Sequence, residues 1–445
     1  MNTTRSRTED SFTKGGSWPS QRTDTCPPHN TPVREDVRMD LRLVERLTTG
    51  EGWGLLQSLP PYDESAALSL GVRLRDAGFD PDLVAATLTQ SRLRSRAVHK
   101  FGDGAAEMLF TADGLEQATR AEVAATHAQR FRQAGVQHVF DLGCGIGSDA
   151  MALARAGMRV HAVDADETTA AIAGVNLRPW PTASAHTARA EEVTLPTGAD
   201  ARTAGIWLDP ARRTPGVADI TGRTRRLFRL EDLSPGWDFV RRAAQSVPAA
   251  GAKLSPAFSH RQVPPGAEAQ WTSYRGEVVE CTIWWGSLVH EPGRTALMLN
   301  GRDAYAVTEA DAAEADPTPA SLGRLPGYLY EADRAVLRAG LVGALIRAVD
   351  GQELAPGTGY VCSTREVHVT WAKRYAVREA FPFNVKALRA WMRDHDVGRV
   401  TIKKRGVSLD PETLRRQLRL SGSREITVLV TRIDDLQSAL VLDAV

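Results

Sequence analysis

The stretch "HVFDLGCGIGSDAMALARAGMRVHAVDAD", residues 138–166, decides the fold of this 445-residue chain. An apolar strand, "HVFDLG", leads into a glycine-rich turn, then a helix, "SDAMALARA", and a second strand, "RVHAVD". Strands that alternate with helices in this way predict a parallel sheet with crossover helices. Gly143, Gly145 and Gly147 let the backbone turn sharply and approach a ligand closely, because glycine has no Cβ.

The residues around this turn indicate which kind of ligand it takes. A helix that begins near Ser148 points its free N–H groups at the ligand. Nicotinamide and flavin sites have their third glycine at the position of Ser148, so the spacing here does not match them. Asp141, at the end of the strand, is unfavourable beside a pyrophosphate but suits a cation. S-adenosylmethionine carries an ammonium and a sulfonium group and no phosphate, so it is the predicted cofactor.

Further acids follow along the chain. Asp164 ends the second strand, where its carboxylate can accept hydrogen bonds from both ribose hydroxyls, whereas Asp166 is predicted to cap the next helix. After the third strand, "ARAEEV" places Glu191 where it can accept the exocyclic amine of adenine, with Glu192 as the alternative. An ordinary strand–helix turn would explain the glycines alone, but the glycines and acids in this order favour a cofactor site.

With these motifs, residues 136–290 resemble the class I S-adenosylmethionine-dependent methyltransferases. The resemblance includes the reversed final hairpin of that fold. The segment "AQWTSYRGEVVECTIWWGS" contains its two strands, which the turn at Arg275-Gly276 joins. It implies an α/β fold with a Rossmann-like sheet of parallel strands and a final antiparallel hairpin. Carried over by position, Asp141 and the three glycines form the methionine-side loop and Asp164 is the ribose acid.

The fourth strand ends in "GIWLDPARR", residues 205–213. In amino-group methyltransferases this place holds Asp or Asn, two prolines and an aromatic residue, and the resemblance implies that Asp209 and Pro210 accept hydrogen bonds from the target amine. Such contacts point the nitrogen lone pair at the methyl carbon, which is a positioning effect. The aromatic residue is missing, and the guanidinium plane of Arg212 or Arg213 is a candidate to stack on a base or grip a phosphate. The alternative is that Asp209 only ends a strand and the arginines form surface ion pairs.

Five segments narrow the resemblance, which then spans about residues 40–445: "LDPARR", "GRTRRLFRLEDLSPGWDFV", "KLSPAFSH", "LEQATR" and "VTIKKRG". They are similar to a bacterial group of class I methyltransferases with a C-terminal THUMP-like part. THUMP domains bind structured RNA, chiefly transfer RNA, so the resemblance implies an RNA partner, either tRNA or rRNA. Within "LEQATR", Gln117 and Thr119 either contact the methionine end of the cofactor as part of a lid or belong to a helix N-terminus that packs on the core.

These observations predict five segments along the chain. They are a disordered tail (1–38), an N-terminal helical domain (39–135), a cofactor-binding methyltransferase domain (136–290), a ferredoxin-like or linker segment (291–365) and a THUMP-like α+β domain (366–445). The tail is rich in Ser, Thr, Arg, Pro and Gly without apolar periodicity, which is typical of disorder.

Composition restricts the partners and the compartment. The formal net charge is +1, so attraction to nucleic acid needs a local patch. The four cysteines are scattered without metal-binding spacing, which predicts free thiols and no metal site. No apolar run is long enough to span a membrane, and the N-terminus lacks the apolar core of a signal peptide. A cytoplasmic protein without a membrane partner is therefore predicted.

Two groups of basic residues are candidates for phosphate contact. The first follows the fourth strand and comprises Arg212, Arg213, Arg223, Arg225, Arg226 and Arg229. The second comprises Arg399, Lys403, Lys404, Arg405, Arg415, Arg416 and Arg419. No cysteine lies between Cys144 and Cys281, which excludes the cysteine nucleophile of cytosine-C5 methylation.

The leading hypothesis is therefore a methyltransferase that acts on an exocyclic base nitrogen in RNA. The alternatives are a protein or small-molecule methyltransferase and a protein that binds the cofactor and RNA without turnover.

Overall fold

The computed structural model describes residues 39–212 and 229–445, apart from residues 302, 317 and 326 and the side chains of Arg212 and Arg324. The predicted tail and four of the arginines after the fourth strand (Arg213, Arg223, Arg225 and Arg226) lie outside these residues. Within the described part of the chain, no helix combines the length and the apolar character that a membrane span requires.

The helices fall into an N-terminal group, a group that covers the first sheet and a C-terminal group. They are α1 (Leu41–Leu47), α2 (Gly50–Ser58), α3 (Glu64–Asp76), α4 (Pro81–Phe101), α5 (Ala112–Gln117), α6 (Ala121–Gln133), α7 (Ser148–Arg155), α8 (Glu167–Leu177), α9 (Trp237–Gln245), α10 (Glu309–Ala312), α11 (Arg334–Ala339), α12 (Val342–Val349), α13 (Val385–Asp394) and α14 (Pro411–Leu418).

The strands form two large sheets and one short pair. They are β1 (His138–Leu142), β2 (Arg159–Asp164), β3 (Ala183–Thr187), β4 (Ala204–Leu208), β5 (Ala211–Arg212), β6 (Leu233–Ser234), β7 (Ala249–Leu254), β8 (Glu268–Tyr274), β9 (Glu277–Gly286), β10 (Gly293–Asn300), β11 (Asp303–Thr308), β12 (Tyr328–Ala332), β13 (Gln352–Glu353), β14 (Tyr360–Ser363), β15 (Ala372–Pro382), β16 (Val397–Lys404), β17 (Arg424–Ile433) and β18 (Leu436–Ala444).

The first sheet has the strand order β11-β10-β8-β9-β7-β4-β1-β2-β3. The five strands from β7 to β3 run parallel, and β9 is antiparallel to both β7 and β8. The hairpin turn lies at Arg275 and Gly276, whose φ angles are 51° and 82°. This confirms the predicted parallel sheet with a final antiparallel hairpin. The carboxyl ends of β1, β2, β4 and β7 therefore meet at one edge of the sheet.

The N-terminal helices pack on this sheet through a continuous apolar core. Leu47, Leu93 and Phe110 belong to the same buried cluster as Val139 and Trp207. Helix α4 begins with Asp80 as the N-cap residue and Pro81 at the first helical position, where its missing N–H and fixed φ suit a helix start.

The second sheet has the order β13-β14-β12-β15-β18-β17-β16. Only its edge pair, β16 and β17, is parallel, and the other neighbours are antiparallel. Helices α13 and α14 cover one face of this sheet through Leu388, Met392 and Leu414.

Two sequence patterns predict elements that the structure does not show, a strand over residues 365–371 and a single helix over residues 331–349. The segment "REVHVTW", residues 365–371, has an alternating pattern but does not form a strand, because its backbone is not part of the β-ladders of either sheet. The helical pattern of residues 331–349 is divided, because Gly340 adopts φ 70° and separates α11 from α12. Strands β10 and β11 lie beyond residue 290 and nevertheless extend the first sheet.

Candidate active site

The glycine turn after β1 is shaped by close backbone approach. The three glycines adopt left-handed φ angles of 90°, 56° and 86°, which favour glycine. A Cβ on Gly143 would come within 2.9 Å of the carbonyl oxygen of Asp209, so the turn and the end of β4 touch directly. Asn176, buried in α8, donates from its side chain to the carbonyl of Ile146 at 2.8 Å and holds the turn from behind.

Asp141 is a buried carboxyl group without a protein partner. It is 1% exposed, and neither of its oxygens has a hydrogen-bond partner among the residues that the structure describes. Burial raises its pKa well above the usual range, and the nearby charges of Asp149 and Asp209 add to this shift. Such an orphaned acid is costly unless a ligand supplies a donor or a positive charge.

Asp164 connects the second strand to the glycine turn. Its Oδ2 accepts the backbone N–H of Gly145 at 3.0 Å, and its Oδ1 accepts that of Asp166 at 2.9 Å. Each carboxylate oxygen has a second lone pair, so the group retains acceptor capacity for a hydroxyl pair. Burial raises the pKa of Asp164 above its usual value. Asp166 caps α8 by accepting the backbone N–H of Thr169, as predicted.

Asp209 forms an ion pair that the sequence did not indicate. The ammonium of Lys253, at the end of β7, lies 2.5 Å from Asp209 Oδ2 and donates to Thr119 Oγ1 at 3.0 Å. Burial raises the pKa of Asp209, although Lys253 opposes the shift. Burial alone would lower the pKa of Lys253, but Asp209, Asp149 and Glu280 outweigh it and raise that pKa above its usual value.

Behind this ion pair lies a buried histidine held between two acids. His127 contacts Asp149 through Nδ1 at 2.8 Å and Glu280 through Nε2 at 2.7 Å. Burial favours the neutral ring, but the two carboxylates prevail and raise the pKa of His127 from 6.5 to about 9. Asp149 also accepts the hydroxyl of Thr119 at 2.7 Å.

We call this set of side chains the edge cluster, and its members are Thr119, His127, Asp141, Asp149, Asp209, Lys253 and Glu280. It comprises four carboxyl groups and two cationic side chains, so ionisation of all of them leaves a negative excess at the sheet edge. A cationic ligand would reduce this excess and provide the missing partner for Asp141.

The other predicted site residues are not members of the edge cluster. Gln117 is exposed, and Glu191 is exposed and lies 3.6 Å from Arg189. Pro210 is buried beside Asp209. The backbone of Arg212 pairs with β6, its side chain is not described, and Arg213 lies outside the described residues.

The second group of basic residues is engaged with its neighbours, and we call it the second-sheet cations: Arg399, Lys403, Lys404, Arg405, Arg415, Arg416 and Arg419. Lys403 contacts Glu331 at 2.8 Å, Arg399 lies 3.5 Å from Glu425, and Arg415 pairs with Glu412. These cations are therefore partly neutralised within the protein.

Four members of the edge cluster were not predicted from the sequence: His127, Asp149, Lys253 and Glu280. Three of them occupy apolar patterns, since His127 lies on the buried face of α6 and Lys253 and Glu280 lie within apolar strands. The sequence did contain a signal for these residues, namely a charged side chain at an inward-facing position of a helix or strand. Such a position indicates a buried polar site, because charged groups are rarely buried without partners.

Metal ligation is not indicated for this edge. In the described ranges, no group of three or more His, Cys, Asp or Glu side chains is arranged to hold a metal ion. Cys144, Cys281 and Cys362 are buried free thiols.

Comparisons with known proteins show which families and relatives the chain resembles. A family model described as THUMP domain-like matches residues 372–444, and one described as a domain of unknown function (DUF8688) matches residues 40–97. Over 373 residues the chain is 32% identical to an uncharacterised S-adenosylmethionine-dependent methyltransferase of Mycobacterium tuberculosis strain CDC 1551, with 81% of this chain and 95% of that protein covered. The corresponding protein of strain H37Rv matches equally well.

Among solved structures, a putative methyltransferase from Porphyromonas gingivalis has the same fold. The TM-score is 0.67 at 19% sequence identity, and the match covers 86% of this chain and all of that one. This match confirms the fold, the similarity to the mycobacterial proteins confirms the predicted enzyme class and cofactor, and the family-model match confirms the THUMP-like C-terminus. The chain belongs to the S-adenosylmethionine-dependent methyltransferases.

Proposed function

We propose that this enzyme methylates an exocyclic nitrogen of a base in RNA, with tRNA and rRNA as the candidate substrates. The observation that carries the proposal is the position of Asp209 and Pro210 at the end of β4, where the glycine turn touches the backbone of Asp209. The THUMP domain-like match to residues 372–444 supports RNA as the substrate class, because THUMP domains bind structured RNA.

The cofactor fits the residues at the sheet edge. Asp141 would face its cationic methionine end, and the unsatisfied oxygens of this buried carboxyl group support that role. Asp164 would accept the ribose hydroxyls, with Glu191 near the adenine and Gln117 and Thr119 at the methionine side. When bound, the cofactor supplies an electrophilic methyl group. All other steps depend on side chains of this chain.

Asp209 would orient the acceptor nitrogen. One carboxylate oxygen is held by Lys253, so the side chain cannot rotate freely and its other oxygen remains available to accept a hydrogen bond from the amine. The carbonyl of Pro210 would accept a second one. Two acceptors fix the direction of the nitrogen lone pair, and an amine that brings its own lone pair needs no cysteine nucleophile and no metal.

The buried His127 would act on this site through Asp149. Its protonated ring holds Asp149 in place, and Asp149 in turn accepts the hydroxyl of Thr119, which also contacts Lys253. His127 is therefore a positioning residue and not a base that takes the proton from the substrate. The three buried free thiols are compatible with a reducing compartment, and we place the reaction in the cytoplasm.

The test is to incubate the protein with methyl-labelled cofactor and total RNA from a strain that lacks the gene, and to identify modified nucleosides by mass spectrometry. We expect label in one nucleoside methylated at an exocyclic nitrogen. Label that appears only in protein or in small molecules would reject RNA as the substrate.

A pair of variants at position 209 separates catalysis from binding. Asp209→Ala should reduce methyl transfer by about 100-fold or more while RNA binding remains, because the amine loses its orienting acceptor. Asp209→Asn keeps the size of the side chain but has a single oxygen, which Lys253 occupies, so its NH2 group would face the amine and its activity should fall about as far as that of Asp209→Ala. Equal activity of the wild type and Asp209→Ala would show that Asp209 only ends a strand.

A further inference from the structure

A large cleft lies between the first sheet and the second sheet. Its volume is 1180 Å³. One wall is the loop after β7, residues 256–261, together with the start of β9. The other lining residues come from α11, from the residues after it and from Gly357 and Arg405 beside the THUMP-like sheet, and the loop contacts α11 through His260, whose Nε2 lies 2.6 Å from the carbonyl oxygen of Arg338.

The charged side chains of this cleft are mainly arginines. Arg261, Arg334, Arg338 and Arg405 line it together with only two acids, Glu277 and Glu353. The cleft therefore carries an excess of positive charge, in contrast to the edge cluster.

Some of these arginine side chains are not paired with other described residues and can contact a ligand. Arg334 pairs with Glu277, and Arg405 makes one long hydrogen bond of 3.5 Å to the carbonyl of Gly357. Arg261 and Arg338 are exposed, and their guanidinium groups have no hydrogen bond or ion pair within the described residues. Two free guanidinium groups that line the same cleft are suited to bidentate contact with phosphate oxygens.

The cleft is connected to the proposed transfer site by a very short piece of chain. Lys253, which holds Asp209, is followed after two residues by Pro256, the first residue of the cleft wall. A ligand in the cleft therefore lies at the carboxyl edge of β7, the same edge where Asp209 would meet its substrate.

We infer that this cleft binds the phosphate backbone of the RNA substrate and leads the target nucleotide to Asp209. This inference rests on the proposed function. The volume exceeds the range of about 300–1000 Å³ that is typical of small-molecule sites, which favours a polymer over a mononucleotide. The walls also join the methyltransferase sheet to the THUMP-like sheet, so one RNA segment would contact both.

The experiment measures binding of fluorescein-labelled bulk transfer RNA by anisotropy at several potassium chloride concentrations. The test variant is Arg261→Ala/Arg338→Ala. The matched control is Arg73→Ala/Arg132→Ala, which removes two exposed arginines from α3 and α6, away from the cleft lining. All four positions are on the surface, so the variants should fold, and unchanged melting temperatures verify this.

We expect the test variant to bind about 10-fold more weakly than the wild type near 100 mM salt. Its plot of log affinity against log salt should be shallower by about 1.5, because each lost phosphate contact removes roughly 0.7–0.9 from the slope. The control variant should match the wild type in both respects. In the labelling assay, the KM for RNA should rise in the test variant while kcat stays close to that of the wild type.

Other outcomes overturn the inference, and they can be told apart from failure of the proposed function. If the wild type labels RNA but the test variant binds and labels it equally well, the cleft is not the backbone site and the proposed function stands. If test and control variants lose affinity equally, the attraction is a general surface effect. Poly-glutamate that displaces the RNA as efficiently as unlabelled RNA would identify an acidic-peptide site. If the wild type neither binds nor labels RNA, both proposals fail.

Discussion

The edge cluster and the second-sheet cations are both dense in charge, but burial gives these charges different consequences. In the edge cluster, His127, Asp149 and Glu280 are 5% exposed or less, and each charge is held by hydrogen bonds. Among the second-sheet cations, the side chains of Arg399 and Glu425 are 76% and 61% exposed. Water already solvates exposed charges, so pairing them contributes little, whereas a buried charge that loses its partner is costly. Charge density in the sequence is thus a weaker indicator of a site than charge at an inward-facing position.

The largest expected effect comes from opening the ion pair of the edge cluster. Lys253→Met leaves Asp209 and its acidic neighbours without their cation and should lower the free energy of unfolding by about 3 kcal/mol. Urea denaturation measures this. The double variant Lys253→Met/Asp209→Asn removes both charges and should recover part of the loss. If the stability losses of Lys253→Met and Asp209→Asn simply add in the double variant, the two side chains are not coupled and the ion pair is contradicted.

The next effect is a pH dependence that His127 produces. Its pKa is raised from 6.5 to about 9, so the folded protein retains a proton that the unfolded chain releases in this range. The contribution to stability is complete below about pH 6.5 and disappears as the pH rises through about 9. The wild type should therefore lose about 2.5 kcal/mol between these limits relative to His127→Gln.

Urea denaturation at several pH values between these limits provides the measurement. His395→Gln serves as the control, because His395 is exposed and stacks on Trp391 outside the edge cluster. It should show the pH slope of the wild type. A slope that persists unchanged in His127→Gln would assign the titration to another group.

A smaller effect is expected from the glycine turn. Gly143→Ala places a Cβ 2.9 Å from the carbonyl oxygen of Asp209 in a left-handed backbone conformation. We expect a 10- to 30-fold loss of cofactor affinity, equivalent to about 1.4–2 kcal/mol, measured by calorimetry. Gly174→Ala is the matched control, since its Cβ meets nothing within 4 Å and its backbone is helical. Equal affinities in both variants would show that the turn does not approach the ligand.

The smallest effect should come from the second-sheet cations. The double-mutant cycle of Arg399→Ala and Glu425→Ala should give a coupling below about 0.5 kcal/mol, because both side chains are exposed. Urea denaturation of the four proteins checks this. A coupling as large as that of Lys253 and Asp209 would remove the contrast between the two regions.

Local patterns were sufficient to predict the parallel strands of the first sheet and its glycine turn, but not the extension by β10 and β11. Residues 138–166 contain two neighbouring strands and their helix, and glycine is required where φ is positive, so the relevant physics lies within one short stretch. The hairpin at Arg275 and Gly276 was predicted for the same reason.

The edge cluster was only partly predictable, because it joins residues that are distant in the sequence. His127 and Glu280 are separated by 153 positions and meet only when α6 packs across β9. The sequence did not predict strands β12 to β14. Their residues show no clear alternation, and β12 pairs with β15, which lies about 40 residues later in the chain. Long-range pairing is not encoded in any single window of sequence.

The central claim is that the cationic end of the cofactor is the partner that buried Asp141 lacks. Calorimetric titration of S-adenosylmethionine into the wild type and Asp141→Asn, at several pH values, tests this most directly. We predict that the wild type binds more tightly as the pH rises, because the raised pKa leaves Asp141 protonated at low pH and binding must then release the proton. Asp141→Asn should bind at least about 10-fold more weakly and without this pH dependence. Absence of binding heat in the wild type, or equal affinity and equal pH dependence in both proteins, would contradict the claim.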